Sequence, residues 1–462
     1  VIPLTLHEIA LAVGGTVHGA PAPGPTVTGP VVIDVRDVTP GALFVAVAGE
    51  RGDGHDLAAR AYAFGACAVL GTRAVEGPCV VVDEVVSALT DLAMFVRDML
   101  DLVVIGVTGS VGKTTTKDLL AQILEREAPT VATAGSDGNE IGLPLTILRA
   151  DRWTRYLVLE MGAARQGDIT HLAWVARPQF GLVLNIGPAH LLTLGGIIGV
   201  ARAKAELVRA LPPAGEGGLA FLNADDAAVA SMAGATSAGV VSYGRDAEAS
   251  VRAGGVTVDG EGRASFILHT PSGAAAVRLG LPGEHQVGNA LAAASVADVL
   301  GVTTRRIAAR LSAAAPRSPN RFQLVERADG ITVIDDACHA NPVSMRAALR
   351  TLATMSAGRR TIAVLGEMTG QAGDAARHHA AVGRLAAELG VAILVVVGTG
   401  EGPDALSEAA RRAGVATHAL PRRREAVALL RSLLRPADVV LVKASGEIGL
   451  SAVATALWNP RS

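Results

Sequence analysis

The chain reads as an α/β protein of three domains, and three observations predict it. Short runs of aliphatic and β-branched residues alternate with helical patterns of about 10–15 residues, as in parallel sheets joined by crossover helices. One of those strands runs into a glycine-rich turn that opens a helix, Val103-Val-Ile-Gly-Val-Thr-Gly-Ser-Val-Gly-Lys-Thr-Thr-Thr116. The length of 462 residues also exceeds what one hydrophobic core organises. The segment Ala313-Ala-Ala-Pro-Arg-Ser-Pro-Asn320 reads as a linker by its prolines and small residues.

The elements follow in order. Residues 1–99 carry β-like runs at 16–18, 43–47 and 79–82 and a helical stretch at 56–65. Residues 100–313 carry strand signals at 103–107, 156–160, 181–185 and 218–222, with helical patterns between them. From 246 to 283 apolar and polar positions alternate, which predicts an antiparallel meander appended to that sheet. Residues 314–462 repeat the α/β alternation, with strands at 332–335, 361–365, 392–397 and 439–442. Aromatics are only 3% of the chain, so each domain's core must rest on Ala, Val and Leu.

Composition excludes several function classes. A net charge of −2 supplies no attraction for nucleic acid or an anionic membrane, so neither is expected as a partner. The cysteines at 67, 79 and 338 have no metal-ligand spacing, and their odd number argues against a disulfide framework. No signal peptide opens the sequence and no run of 18 apolar residues occurs, so a cytoplasmic protein is expected.

The chemistry concentrates around the glycine-rich turn. Gly109 and Gly112 let backbone N–H groups, with Ser110 and Thr115, crowd around a phosphate. The helix N-terminus adds its dipole, Lys113 a mobile cation, and Thr114 a hydroxyl for Mg²⁺. Val107 stands where the strict phosphate-loop pattern has its first glycine, yet Gly-Lys-Thr after a strand still points to ATP or GTP. Glu160 ends the strand Tyr-Leu-Val-Leu-Glu, where it reads either as a Mg²⁺ ligand or as a helix-capping carboxylate. His190 taken alone is a loop histidine, and Lys204 taken alone an exposed helical lysine.

Order and spacing change that. The phosphate loop, TAGSDGNEIGLP at 133–144, Glu160-Met-Gly162, His190 and Lys204 together resemble the central domain of the Mur ligases, ATP-dependent amide ligases of peptidoglycan precursor synthesis. The similarity is greatest to the branch that adds D-alanyl-D-alanine to a UDP-N-acetylmuramoyl tripeptide. Asp34-Val-Arg36, Gly41-Ala-Leu-Phe-Val-Ala46 and Asp53-Gly-His55 resemble its UDP-binding N-terminal domain. Leu281-Pro-Gly-Glu-His-Gln-Val-Gly-Asn-Ala-Leu-Ala292 resembles the end of the central domain. Asp335-Asp-Ala-Cys-His-Ala-Asn-Pro342 and Val364-Leu-Gly-Glu-Met368 resemble the start of the C-terminal one.

The resemblance implies a small N-terminal α/β domain (1–99), a central P-loop-type parallel-sheet ATPase domain (100–313) and a C-terminal Rossmann-like domain (314–462). It implies ATP and Mg²⁺ as cofactors, with Lys113 on the β- and γ-phosphates and Thr114, Glu160 and His190 at the metal. Lys204 corresponds to the family's carbamylated lysine, a carbamate that binds a second Mg²⁺. Asn139 is expected on the γ-phosphate side and Asn289 at the adenine. Arg321, Asp336 and Asn341 are expected to come from the C-terminal domain to the nucleotide. Asp34, Arg36, His55, Lys443 and Ser445 fall at substrate-facing positions. The implied substrates are a small carboxylate and an amine, such as a UDP-linked muramoyl peptide and a dipeptide, acted on by a monomer.

Several positions depart from the family pattern. Val35 replaces a hydroxyl residue of the UDP site, which predicts weak binding of a UDP-linked substrate. Gly135-Ser-Asp-Gly-Asn-Glu-Ile-Gly142 lacks two amide side chains, Leu191 stands for an acidic residue, Cys338 for an aromatic and Gly446 for an arginine. Buried substrate groups left unpaired cost about 1–3 kcal/mol each. Two substrate assignments therefore stand side by side: the peptidoglycan ligase, and a paralogue joining another carboxylate and amine in a specialised-metabolite pathway. Folylpolyglutamate synthetases lack the 34–55 pattern. A scaffold that merely hydrolyses ATP would have little use for the second metal site.

Overall fold

The computed structural model describes residues 2–49 and 52–458. Three main sheets succeed one another along the chain. The first has five strands in the order Thr16–His18, Cys79–Val81, Ala68–Gly71, Leu43–Val45, Val31–Val32 and is parallel except at its Thr16–His18 edge. Leu6–Val13 packs beside it, begun by a capping box between Thr5 and Glu8 and ended by Gly14 in the left-handed conformation. The helical signal at 56–65 resolves into a short 3₁₀ turn, Gly54–Leu57, followed by Ala58–Ala63.

The central sheet has nine strands. Its order begins Thr130–Ala132, Tyr156–Glu160, Val103–Thr108, Phe180–Val183, Leu219–Asn223, Gly239–Gly244, all parallel. Val251–Val258, Arg263–Thr270 and Gly273–Pro282 then extend it as the expected meander, paired antiparallel to one another. From Val103–Thr108 the chain crosses first to one side of the sheet and later to the other. That reversal leaves a crevice at the carboxyl ends of the strands. The third sheet has six strands in the order Gln323–Glu326, Thr332–Asp335, Val439–Lys443, Thr361–Gly366, Ile393–Val397, Ala416–Leu420, with only the first pair antiparallel.

The cores do not follow the three sheets one to one. Leu43, Leu70 and Val80 of the first sheet and Leu89 and Leu92 of the helix Val85–Asp98 belong to the same apolar cluster as Val104, Leu157 and Leu207 of the central part. The first sheet is too small to bury both sides alone, so the helix Val85–Asp98 seals it against its larger neighbour. The third sheet is different. Its two apolar clusters contain only residues from Phe322 onward, so it shares no apolar core with the rest, although Met355 and Val343 approach Gly262 and Gly187 of the central part.

Candidate active site

The crevice at the strand reversal faces the third sheet across a cavity of about 880 Å³. This lies in the range of small-ligand pockets. One wall is the glycine-rich turn. Asn185, at the end of the neighbouring strand, braces it: its Oδ1 accepts from Val111 N–H at 2.9 Å and its amide donates to the Val111 carbonyl at 3.0 Å. Ser110 Oγ donates to the Gly187 carbonyl at 3.1 Å and accepts from Gly187 N–H at 2.9 Å.

Gly112 is left-handed (φ 84°), and a Cβ there would sit 2.3 Å from Asn289 Oδ1. Any side chain there would push the Asn289 amide aside, so Gly112 leaves that amide its place against the loop. Gly112→Ala is expected to destabilise the protein by about 2 kcal/mol. Urea unfolding measures it, and an unchanged midpoint would contradict the packing account.

Lys113 Nζ folds back onto the Gly109 carbonyl at 3.0 Å. Beside it Thr114 Oγ1 donates to Glu160 Oε2 at 2.8 Å, both residues being buried. Gly138 lets the 134–140 loop close over this pair, since a Cβ there would lie 2.4 Å from the Glu160 carbonyl. His190 lines the same cavity with a left-handed backbone (φ 53°), an unfavourable conformation for a non-glycine residue of the kind that gathers at functional sites. Lys204 is buried on the helix Gly196–Arg209, and among the described residues its ammonium has no hydrogen-bond partner.

The opposite wall comes from the third sheet and the linker. Arg321 lies between two left-handed residues, Asn320 (φ 56°) and Phe322 (φ 55°), and its Nε is buried with no hydrogen-bond partner among the described residues. An orphaned guanidinium facing a phosphate-loop lysine is a setting made for a polyanion. Burial is the first cause of the lowered pKa of Lys113, His190 and Lys204, and like charge adds to it at all three, from Arg321 at Lys113. Lys204 is brought down to about 7, first by burial and then by Lys113, with Glu160 opposing. His285 falls to about 4 and His339 is pushed well below the usual range, His339 by burial and then by Lys113 and Arg321.

The residues present fit Mg²⁺. A buried carboxylate and hydroxyl supply hard oxygen ligands, and Mg²⁺ is commonly held by one or two carboxylates together with substrate phosphates. Among the described residues no group of three or more His, Cys, Asp or Glu side chains gathers to hold a metal by itself. Phosphate oxygens and water would complete the coordination.

Other expectations need correction. Asn139 lines the cavity, but its Oδ1 accepts from the N–H groups of Ile141 (3.1 Å) and Gly142 (2.8 Å), so only its amide NH₂ is uncommitted. Asn341 does not line the cavity. It is buried and caps the helix Pro342–Ser356, accepting from Ser344 N–H at 2.9 Å. Lys443 and Asp336 reach the cavity but are bonded to each other at 2.6 Å, and Lys443 also donates to the His339 carbonyl at 2.8 Å. Ser445 is buried and accepts from Thr369 N–H at 3.0 Å, holding a loop rather than facing a ligand.

In the first sheet His55 is buried and fully used. Its Nδ1 lies 2.5 Å from Asp53 Oδ1, and its Nε2 accepts from Thr72 N–H at 2.9 Å. Asp34 and Arg36 form an exposed ion pair. Neither they nor His55 line the cavity.

Val35 is also not where the weak-binding expectation put it. It is 5% exposed and packs with Val38, Ala42 and Phe44. An apolar residue there fills the core instead of leaving a ligand group unpaired, so that reason for weak UDP binding falls. At position 446 a Cβ would approach the Cys338 carbonyl to 2.8 Å, so the expected arginine is excluded unless that segment moves.

Three residues lining the cavity have no local signal in the sequence: Asn185, which braces the phosphate loop, and His285 and His339. What each meets is set by the elements lying across the cavity from it.

A phosphate loop at a strand reversal, a buried carboxylate–hydroxyl pair and an arginine brought in by a third sheet define a nucleotide-using α/β enzyme. Its site is assembled between two parts of the chain. The family models agree: the Mur ligase family catalytic domain matches residues 30–95, the Mur ligase middle domain 107–297, and the Mur ligase glutamate ligase domain 320–446. The chain belongs to the Mur ligase family, ATP-dependent peptide ligases with a three-domain α/β architecture.

Within that family it is MurF-like. It is 46% identical to the UDP-N-acetylmuramoyl-tripeptide–D-alanyl-D-alanine ligase of Mycobacterium bovis, covering 99% of this chain and 98% of that protein. The Escherichia coli enzyme of the same name is 35% identical over the same shares. A crystal structure of MurF from Acinetobacter baumannii superposes with a TM-score of 0.85, 32% identity and 99% of each chain covered.

Proposed function

We propose that this chain joins D-alanyl-D-alanine to a UDP-N-acetylmuramoyl tripeptide at the expense of ATP, dividing the work among domains 1–99, 100–313 and 314–462. The observation that carries the chemistry is the single cavity in which Lys113, the Thr114–Glu160 pair and the unpartnered Arg321 face one another. Full-length similarity to ligases of that name supports the substrates. A related MurF from Thermotoga maritima, with a TM-score of 0.77 and 26% identity, was crystallised with ADP.

The substrate carboxylate attacks the γ-phosphorus, ADP leaves, and an acyl phosphate forms. The dipeptide amine then attacks the acyl carbon, the nitrogen loses a proton, and phosphate departs. Lys113 and Arg321 hold phosphate oxygens from opposite walls and neutralise the charge that develops between them. Thr114, Glu160 and His190 would hold Mg²⁺, which supplies Lewis-acid neutralisation of the phosphates when bound. Asn289 and Asp336 contribute to the nucleoside end of the cavity, and the NH₂ of Asn139 to its phosphate end. Most of the catalysis is positioning.

Lys204 completes the site as a carbamate, its nitrogen bonding CO₂ and releasing a proton. Burial without a partner disfavours the ammonium form, and the uncharged amine is the form that takes up CO₂. The anionic product would balance Lys113 and could ligate a second Mg²⁺.

The test is an ADP-release assay with the UDP-muramoyl tripeptide and D-alanyl-D-alanine, alongside a panel of amino acids and dipeptides. ADP and phosphate are expected only when both substrates are present. Release with ATP alone would indicate a hydrolase, and turnover only with another pair from the panel would reassign the substrates.

A further inference from the structure

The helix that follows the phosphate loop, Lys113–Leu124, has a second use on its outer face. Asp118, Gln122 and Glu125 are spaced i, i+4, i+7 and so lie on one stripe. Each grips the linker. Gln122 pairs with the backbone of Ala315 in both directions, donating to its carbonyl and accepting from its N–H, each at 3.1 Å. Glu125 takes the Arg317 guanidinium in a two-pronged pair at 2.5 and 2.6 Å. Asp118 accepts from Ser318 Oγ at 2.7 Å and from its N–H at 3.2 Å. Upstream, Arg310 donates to the Ile123 carbonyl at 2.9 Å and Arg306 pairs with Glu127 at 3.2 Å.

The chain is therefore fastened along this helix from about residue 306 to Ser318, and Arg321 follows within three residues. Beyond that point the third sheet shares no apolar core with the central one. Among the described residues no hydrogen bond holds the Arg321 side chain itself. Its place is set by its backbone: by the left-handed Asn320 and Phe322, by Asp336 accepting from Phe322 N–H at 3.2 Å, and by the strap.

We propose that Gln122 and Glu125 are positioning residues for catalysis, strapping the linker to the phosphate-loop helix so that Arg321 meets the phosphates held at that helix's other end. One helix then registers both walls of the cavity. This rests on Arg321 acting at the phosphates, as proposed above. Asp118 belongs to the strap but also pairs with the buried Lys117 at 2.5 Å, so it is left intact in the test.

The test compares Q122A/E125A, Arg321→Ala and the triple variant, with initial rates over a range of ATP concentrations. Misplacing a catalytic group by about 1 Å costs on the order of 10²-fold, so Q122A/E125A is expected to lower kcat roughly 10- to 100-fold. KM for ATP should stay within about 3-fold, because the phosphate loop is untouched. Adding Q122A/E125A to Arg321→Ala should cost little more, since the positioned group is already gone. The swap E125R/R317E should recover rate lost in E125R.

Unchanged kcat in Q122A/E125A alongside a strong loss in Arg321→Ala overturns the strap and leaves the phosphate role of Arg321 standing. Multiplicative losses in the triple variant also overturn it, as they mark general destabilisation. Normal turnover by Arg321→Ala instead removes the phosphate role, and the strap's catalytic purpose with it.

Discussion

Replacing Lys113 with alanine is expected to lower ligation at least ~10³-fold, on the scale of losing one charge-stabilising group in phosphoryl transfer. The side chain is well placed to be missed by the chemistry and not by the fold. Among the described residues its Nζ makes one hydrogen bond, to the Gly109 carbonyl of its own loop, and no ion pair. Burial already lowers its pKa, and Glu160 nearby opposes that shift. A cation held at this cost without a carboxylate bonded to it gains its partner only when phosphate arrives. Single-turnover measurement of acyl-phosphate formation, with a thermal melt to verify folding, provides the check. Wild-type-like ligation by the variant would remove the assignment of the loop to ATP.

Lys204→Ala is expected to cost at least ~10²-fold, several kcal/mol of metal-borne charge stabilisation being at stake. Added short-chain carboxylates should restore part of the activity by standing in for the carbamate. The pH dependence has a definite sign. The amine titrates near 7, below the ordinary lysine range, because burial and Lys113 disfavour its protonated form. Above that pH most of the group is uncharged and accepts CO₂, whereas below it the ammonium form dominates and does not. Activity of CO₂-depleted enzyme should therefore recover on adding bicarbonate at pH 8 and recover poorly at pH 6. A crystal grown at neutral pH with Mg²⁺ and nucleotide, showing a plain ammonium distant from the metal, would refute the modification.

The local elements were legible because each is encoded by neighbours in sequence. Tyr156–Glu160 and Thr332–Asp335 have the bounds their apolar runs suggested, and the alternation at 246–283 became the expected meander. The phosphate loop was legible for the same reason, since glycines, lysine and threonine within six residues carry its chemistry. Strands with weaker patterns were missed. Gln323–Glu326 and Ala416–Leu420 are partly exposed edge strands, and Thr130–Ala132 is an edge of only three residues.

Side-chain commitments were the harder part. Asn341, Ser445, Lys443 and His55 look like ligand contacts as residue types, yet each has its polar atoms bonded within the protein. Val35 looks like a lost donor and is a core residue. Which partner a polar atom finds depends on the groups a crossover brings opposite, and no local pattern records that.

The sequence by itself determined the α/β class, the three-part order and the phosphate loop, because hydrophobic period and turn chemistry act over a few residues. Tertiary structure alone decided which residues meet. Thr114 and Glu160 are 46 positions apart, Gln122 and Ala315 193, and Lys443 and Asp336 107. It also decided that the first sheet shares a core with the second while the third keeps its own and is tied on by a strapped linker. Apolar burial is non-directional and follows whatever surfaces come together, whereas hydrogen bonds must find a partner within about 3 Å once those surfaces are in place.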